Sequence, residues 1–299
     1  MPALRAIVTG GAGFIGSHLV DALVARGDEV VVVDDLSSGK RENVNAKAQL
    51  EQRDIRAGFG AAGADVIFHL AAQADVQVSM HRPARDAEVN VVGTISVLED
   101  AREAGTPVVF TSTGGAIYGE CDGPAAEDAP RDPISPYGIA KLCAEEYVRG
   151  WNRTHGMSNI VLRLANVYGP RQEAGLEGGV VAIFLERMAG GEETAIFGDG
   201  AQTRDFVFVG DVVGALLAAV GRDGGVFNVG TGLETTVLEL HRACAEVAGI
   251  GAEPRMEAAR LGDVRRSVLD VSRAESGLGW RPEVSLEDGL RRTWAALEE

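Results

Sequence analysis

The stretch Gly10-Gly11-Ala12-Gly13-Phe14-Ile15-Gly16 constrains this chain more than any other. A β-branched run precedes it and an amphipathic helical pattern follows. Glycines at this spacing permit a tight turn and let backbone N–H groups approach a pyrophosphate at a helix N-terminus. The chain holds 39 glycines, so the spacing alone also fits a plain strand-to-helix turn, and the surroundings must decide. They favour a dinucleotide. The next strand pattern ends in Val33-Asp34-Asp35, where an acid accepts hydrogen bonds from both adenine-ribose hydroxyls and repels a 2′-phosphate, which selects NAD over NADP. Asp54-Ile55, after a further short strand, suits the adenine.

Strands are expected at Ala6 to Thr9, Glu29 to Val33, Val66 to Leu70, Val108 to Thr111 and Ile160 to Leu164, with helices at Phe14 to Arg26, Ala84 to Ala104 and Pro136 to His155. Such alternation gives a doubly wound, Rossmann-type parallel sheet, an α/β fold covered on both faces. After Tyr168-Gly169-Pro170 the pattern loosens. A helix near Val180 to Met188 and short strands near Ala195 and Arg204 to Val209 begin a smaller α/β substrate lobe. The expected division is 1–168 for the cofactor domain and 169–299 for the second. Segments within 205–250, notably Val226-Phe227-Asn228-Val229, are expected to return to the first sheet.

The net charge of −16 excludes roles that neutralise nucleic-acid phosphates or grip an anionic membrane. Cys121, Cys143 and Cys244 are odd in number and widely spaced, which fits free thiols in a reducing cytoplasm better than a disulfide framework. The five histidines, His18, His69, His81, His155 and His241, show no metal-ligand spacing, so no metal is expected. No apolar run is long enough to span a bilayer and no signal segment precedes the first strand.

Of the 28 basic residues only Lys40, Lys47 and Lys141 are lysines. One of them falls in Ser135-Pro136-Tyr137-Gly138-Ile139-Ala140-Lys141, where the i, i+4 spacing puts phenol and ammonium on one helix face. An exposed surface pair is the plain alternative. In a chain this poor in lysine and tyrosine the coincidence instead points to chemistry, because an adjacent cation favours phenolate and makes a tyrosine a base near neutral pH.

These segments together resemble the extended short-chain dehydrogenase/reductases, and within them the UDP-glucose (UDP-galactose) 4-epimerases. The likeness runs through TGGAGFIGSH at Thr9 to His18, VVVDDLSSGK from Val31, HLAAQADV from His69, NVVGT from Asn90, TSTGGAIYGE from Thr111, SPYGIAK from Ser135, RLANVYGPRQ from Arg163, GDGAQTRDFV from Gly198 and GDVRRS from Gly262. It implies that Tyr137 is the base and that Lys141 holds the nicotinamide ribose and tunes the phenol. Ser37, Ser38, Gly39, Leu70, Ala71, Ala72, Gln73 and Asn90 would join the NAD site. Asn166, Val181, Phe197, Arg204, Arg260 and Asp263 would bind a UDP-sugar, and Ser267 would stand where a bulky residue limits the sugar pocket to plain hexoses. A homodimer built on the helices near Ala84 to Ala104 and Pro136 to His155 is also implied.

One position departs from the family pattern. The usual catalytic Ser or Thr lies four residues before Tyr118, and here that residue is Gly114; Ser112 and Thr113 are the neighbouring hydroxyls. Dehydrating relatives carry an Asp-Glu pair just before the same tyrosine and decarboxylating ones a Glu, whereas this chain has Gly115-Ala116. The expectation is NAD-dependent 4-epimerisation of UDP-hexoses through a transient 4-keto sugar, extended by Ser267 to N-acetylhexosamines. Another nucleotide-sugar enzyme of the family, such as a uronate epimerase or a dehydratase, and a non-catalytic NAD-binding regulator are the alternatives.

Overall fold

A computed structural model of the protein describes residues 3–175, 179–251, 253–259 and 264–298. In chain order the first half consists of β1 (Arg5–Thr9), α1 (Phe14–Arg26), β2 (Glu29–Asp34), β3 (Gln49–Gln52), β4 (Val66–His69), α2 (Val76–His81), α3 (Pro83–Ala87), α4 (Gly93–Ala104), β5 (Val108–Thr113), the single turn α5 (Gly114–Ile117), α6 (Pro136–His155) and β6 (Ile160–Leu164). The second half adds β7 (Asn166–Tyr168), α7 (Val180–Ala189), β8 (Ala195–Phe197), β9 (Thr203–Arg204), β10 (Phe206–Phe208), α8 (Val209–Ala218) and β11 (Gly225–Val229). It ends with β12 (Thr235–Thr236), α9 (Val237–Ala248), β13 (Arg255–Glu257), β14 (Arg266–Ser267), α10 (Ser272–Leu278) and α11 (Leu286–Ala295).

Seven parallel strands form the central sheet in the order β11-β6-β5-β4-β1-β2-β3. Val30 to Val33 and Val66 to Phe68 are buried without alternation, as strands covered on both faces must be. Leu19, Val20 and Leu23 of α1 and Val212 and Leu216 of α8 cover one face; Val97 and Leu98 of α4 and Ala144 and Val148 of α6 cover the other. This is a Rossmann-type fold. The strand order reverses between β1 and β4, and a crevice opens at the carboxyl ends of those strands.

The segment 226–229 does join this sheet, with β11 running parallel to β6. The smaller lobe packs α7, α9 and α11 around Phe184, Leu240 and Leu290 and carries three short sheets, β10-β7, β12-β9-β14 and β13-β8.

Two elements differ from the sequence expectation. The continuous helix over Ala84 to Ala104 is interrupted: α3 passes into a π-helical turn, Glu88–Val92, before α4 begins. A π turn inserts one residue without breaking the apolar pattern, so periodicity misses it. The single strand expected over Arg204 to Val209 is divided at Asp205. Its buried carboxylate accepts Thr231 N and Oγ1 at 2.8 and 2.6 Å and Gly232 N at 3.0 Å, and the strand changes partner at that point.

Candidate active site

A cleft of about 1070 Å³ lies between the lobes, over the reversal of strand order. At its floor the glycine loop turns from β1 into α1. Gly10 has φ +73°, and a side chain there would sit 2.6 Å from Ala71 N; one on Gly16 would meet Gly10 O at 2.1 Å. Only glycine fits either position, and the N-terminus of α1 is left bare toward the cleft. Asp34, buried behind the loop, accepts Ala12 N at 3.0 Å and Leu36 N at 2.9 Å, one on each oxygen. Each oxygen retains a second lone pair for a ribose hydroxyl. Burial pushes the Asp34 carboxyl up, against the two backbone bonds. Asp35 is exposed at the rim, its side chain taking Ser37 N at 2.8 Å. Gly13, Phe14, Ile15, Ser37, Ser38, Gly39, Asp54, Ile55, Leu70, Ala71, Ala72 and Gln73 also line the cleft. A bare helix N-terminus, acids at the end of β2 and apolar walls beyond them fit a dinucleotide.

Asn90 does not face the cleft. The π turn carries it behind the β4–α2 loop, where it is 1% exposed, its Oδ1 accepting Gln73 N and its Nδ2 donating to Gln73 O, both at 2.9 Å. Its role here is to clamp the loop that forms the cleft wall. Beside it the buried His69 is held by two threonines. The Thr94 hydroxyl is already donating to Asn90 O at 2.7 Å, so it can only accept from His69 Nε2, and His69 Nδ1 then accepts from Thr9 Oγ1 at 2.8 Å. Burial lowers the His69 pKa to about 3, so this ring is a neutral strut.

At the reacting end, Ser135 caps α6 by accepting Gly138 N at 3.1 Å, and Pro136 fills the first helical position. Tyr137 and Lys141 then point the same way, into the cleft. Lys141 is 4% exposed; its Nζ donates to Thr111 O at 3.0 Å and stands 4.8 Å from the Phe110 ring centroid. Burial lowers its pKa to about 8, with Asp86 and Glu145 opposing the shift. The helix spacing continues to Glu145, which pairs with Arg163 through Nε at 3.1 Å and Nη2 at 2.7 Å, both partners at most 1% exposed. Arg163 Nη1 also donates to Tyr118 Oη at 2.8 Å and Glu127 O at 2.9 Å, and Tyr118 donates to Asn228 Oδ1 at 2.8 Å. This buried network fixes α6 against β6 and β11 beneath the cleft.

Ser112, Thr113, Gly115 and Ala116 line the cleft beside Tyr137. Ser112 Oγ is buried with no hydrogen-bond partner among the described residues. A Cβ on Gly114 would lie 2.6 Å from Leu269 Cδ1, so the hydroxyl residue the family pattern expects would fit only with the Leu269 side chain shifted. On the far wall stand Asn166, Val181, Phe197 and Arg204, together with Gln172 and Gln202, which sequence reasoning missed. Ser267 pairs with Arg204 in the β14–β9 register, 5% exposed and behind the cleft surface. Arg260 and Asp263 lie outside the described residues.

The fold and this cleft together define a dinucleotide-dependent enzyme with a tyrosine and a lysine at its reacting end. Residues 6–230 match the NAD dependent epimerase/dehydratase family. The chain belongs to that family, and NAD is its cofactor. It is 47% identical to the UDP-glucose 4-epimerase of Mycolicibacterium smegmatis over 304 residues, 97% of each chain. The UDP-glucose 4-epimerase of Thermotoga maritima, solved with UDP-glucose, superposes with a TM-score of 0.96 at 48% identity, covering 99% of both chains. The UDP-N-acetylglucosamine 4-epimerase of Methanobrevibacter ruminantium, in complex with UDP-N-acetylmuramic acid, gives 0.94 at 31% identity over 100% of both.

Proposed function

We propose that the protein epimerises C4 of UDP-hexoses, interconverting UDP-glucose and UDP-galactose. The carrying observation is the set of carboxylates in the cleft. Asp34, Asp35, Asp54 and Asp75 all accept backbone N–H groups, Asp34 from the glycine loop as well as its own, and Gly115 and Ala116 put no acid beside Tyr137. The site can oxidise and re-reduce a carbon, and among the described residues no acid is placed beside Tyr137 to drive loss of water.

NAD, when bound, accepts the C4 hydride and returns it. Tyr137 removes the O4 proton as the carbonyl forms and gives it back on reduction, while Lys141 holds positive charge beside the phenol. Ser112 or Thr113 supplies the hydroxyl contact that Gly114 lacks. Arg204 binds the diphosphate, and the apolar Val181 and Phe197 leave the sugar free to turn and present its other face.

The likeness to a UDP-N-acetylglucosamine 4-epimerase supports activity on UDP-N-acetylhexosamines as well, while Ser267, behind the cleft surface, does not itself widen the sugar pocket. Ile139 and Val92, 55% and 52% exposed on the α6 and π-turn surfaces, support a homodimer built on those helices. The free Cys121, Cys143 and Cys244 support a cytoplasmic location.

The test is separate incubation with UDP-galactose, UDP-N-acetylgalactosamine and UDP-galacturonate, followed by resolution of the products. A 4-epimer of the plain hexose that disappears with Tyr137→Phe is expected. Absence of any 4-epimer refutes the reading, and turnover of the hexose alone removes the N-acetyl extension.

A further inference from the structure

Asp86, on α3, has no solvent exposure and lies outside the cleft lining. Its Oδ1 accepts Gln73 Nε2 at 2.8 Å and Asn90 Nδ2 at 3.1 Å. Its Oδ2 is fully buried and has no hydrogen-bond partner among the described residues. Helix α3 and the π turn pack directly on α6. Across that contact Lys141 uses one of its three N–H donors, toward Thr111 O. A buried carboxylate with an unpartnered oxygen thus lies on the elements packed against the helix that carries a buried ammonium, without a direct ion pair between them.

We propose that Asp86 is the positioning residue for Lys141, supplying the buried counter-charge that keeps the ammonium protonated and fixed beside Tyr137. The other groups facing Lys141 do not serve. On α6, Tyr137 is the phenol being tuned, and Glu145 is neutralised by its two-point pairing with Arg163. From β4, His69 is neutral. From β5 come only the Phe110 ring and the Thr111 carbonyl. Asp86 is the remaining acid among the described residues named here: burial pushes its own carboxyl up, the bonds from Gln73 and Asn90 and the charge of Lys141 oppose that, and its charge in turn opposes the lowering of the Lys141 pKa by burial. The same clamp joins it to the cofactor wall: Gln73 and Asn90, which hold Oδ1, also hold the β4–α2 loop.

This assignment rests on Lys141 belonging to the reacting pair, and the test separates the two. With three lysines in the chain, selective ¹³C-lysine labelling gives three Cε resonances, assigned by Lys40→Arg and Lys47→Arg. Lys141 is titrated with and without NAD in the parent and in Asp86→Asn, which keeps the shape and the bond to Gln73. Expected is a fall of roughly one pH unit in the Lys141 titration. The acid limb of kcat/KM should move up as Tyr137 loses its cation and the alkaline limb down, with KM for the UDP-sugar little changed. If Asp86→Asn does not fold, Asp86→Ser, which leaves room for water, is titrated instead. A folded variant whose Lys141 titrates as in the parent overturns the proposal, as does lost turnover with both limbs unmoved. Failure of the parent to epimerise any UDP-sugar would overturn the proposed function, while the lysine titration would still decide the role of Asp86.

Discussion

Lys141 is buried at a cost to the fold, and that cost has a sign in pH. Its folded pKa of about 8 lies below the ordinary 10.5, so between those values the unfolded chain binds more protons and stability rises with pH. The penalty is complete below about pH 8 and gone above the ordinary lysine range. In chemical denaturation, the stability of the parent relative to Lys141→Met should therefore improve by about 3 kcal/mol as pH is raised from 7 to above 10. A flat difference would show that the ammonium is better solvated than its burial implies. Tyr137 and Lys141 were legible because lysine is scarce. Asp86 and Glu145 were not, since an acid on a helix reads as solvent-facing until its neighbours are known. Arg163 carried a usable signal: a charge in the otherwise apolar Ile160-Val161-Leu162-Arg163-Leu164 needs a buried partner, and Glu145, one helical turn beyond Lys141, provides it.

Among the elements, α1, α6 and the strands of the sheet could be read from periodicity and caps because their signals are local. The π turn and the break at Asp205 could not. Both are fixed by partners far along the chain: Gln73 for the one, Thr231 and Gly232 for the other. The extra residue of the π turn is what rotates Asn90 under the Gln73 loop. Deleting Val91 should restore a regular helix, swing Asn90 away and release both bonds to Gln73, a loss on the order of 2 kcal/mol at about 1 per bond. Thermal unfolding should report that loss, and NAD titration should show affinity weakened at least about tenfold. Unchanged NAD binding would mean that the loop holds its shape without the clamp.

Over the whole molecule the chain crosses between lobes repeatedly: out after β6, back for α8 and β11, and out again. Sequence alone suggested both a second lobe after Tyr168 and the return of 226–229, but not that α8 covers α1 and so completes one face of the sheet. A fragment ending at residue 168 would expose the edge of β6 and the apolar side of α1. It should show no cooperative unfolding by circular dichroism. A stable, NAD-binding fragment of that length would show that the cofactor domain is self-sufficient.

The burial of Lys141 also determines how the folded protein meets reagents. The two other lysines, Lys40 and Lys47, are exposed and lie outside the cleft lining, Lys40 paired with Glu173. An acylating probe will therefore take the exposed lysines and the α-amino group first and leave the reacting lysine untouched while the fold stays closed. Modification of Lys141 then becomes a clock for opening of the molecule, counted one acyl group at a time.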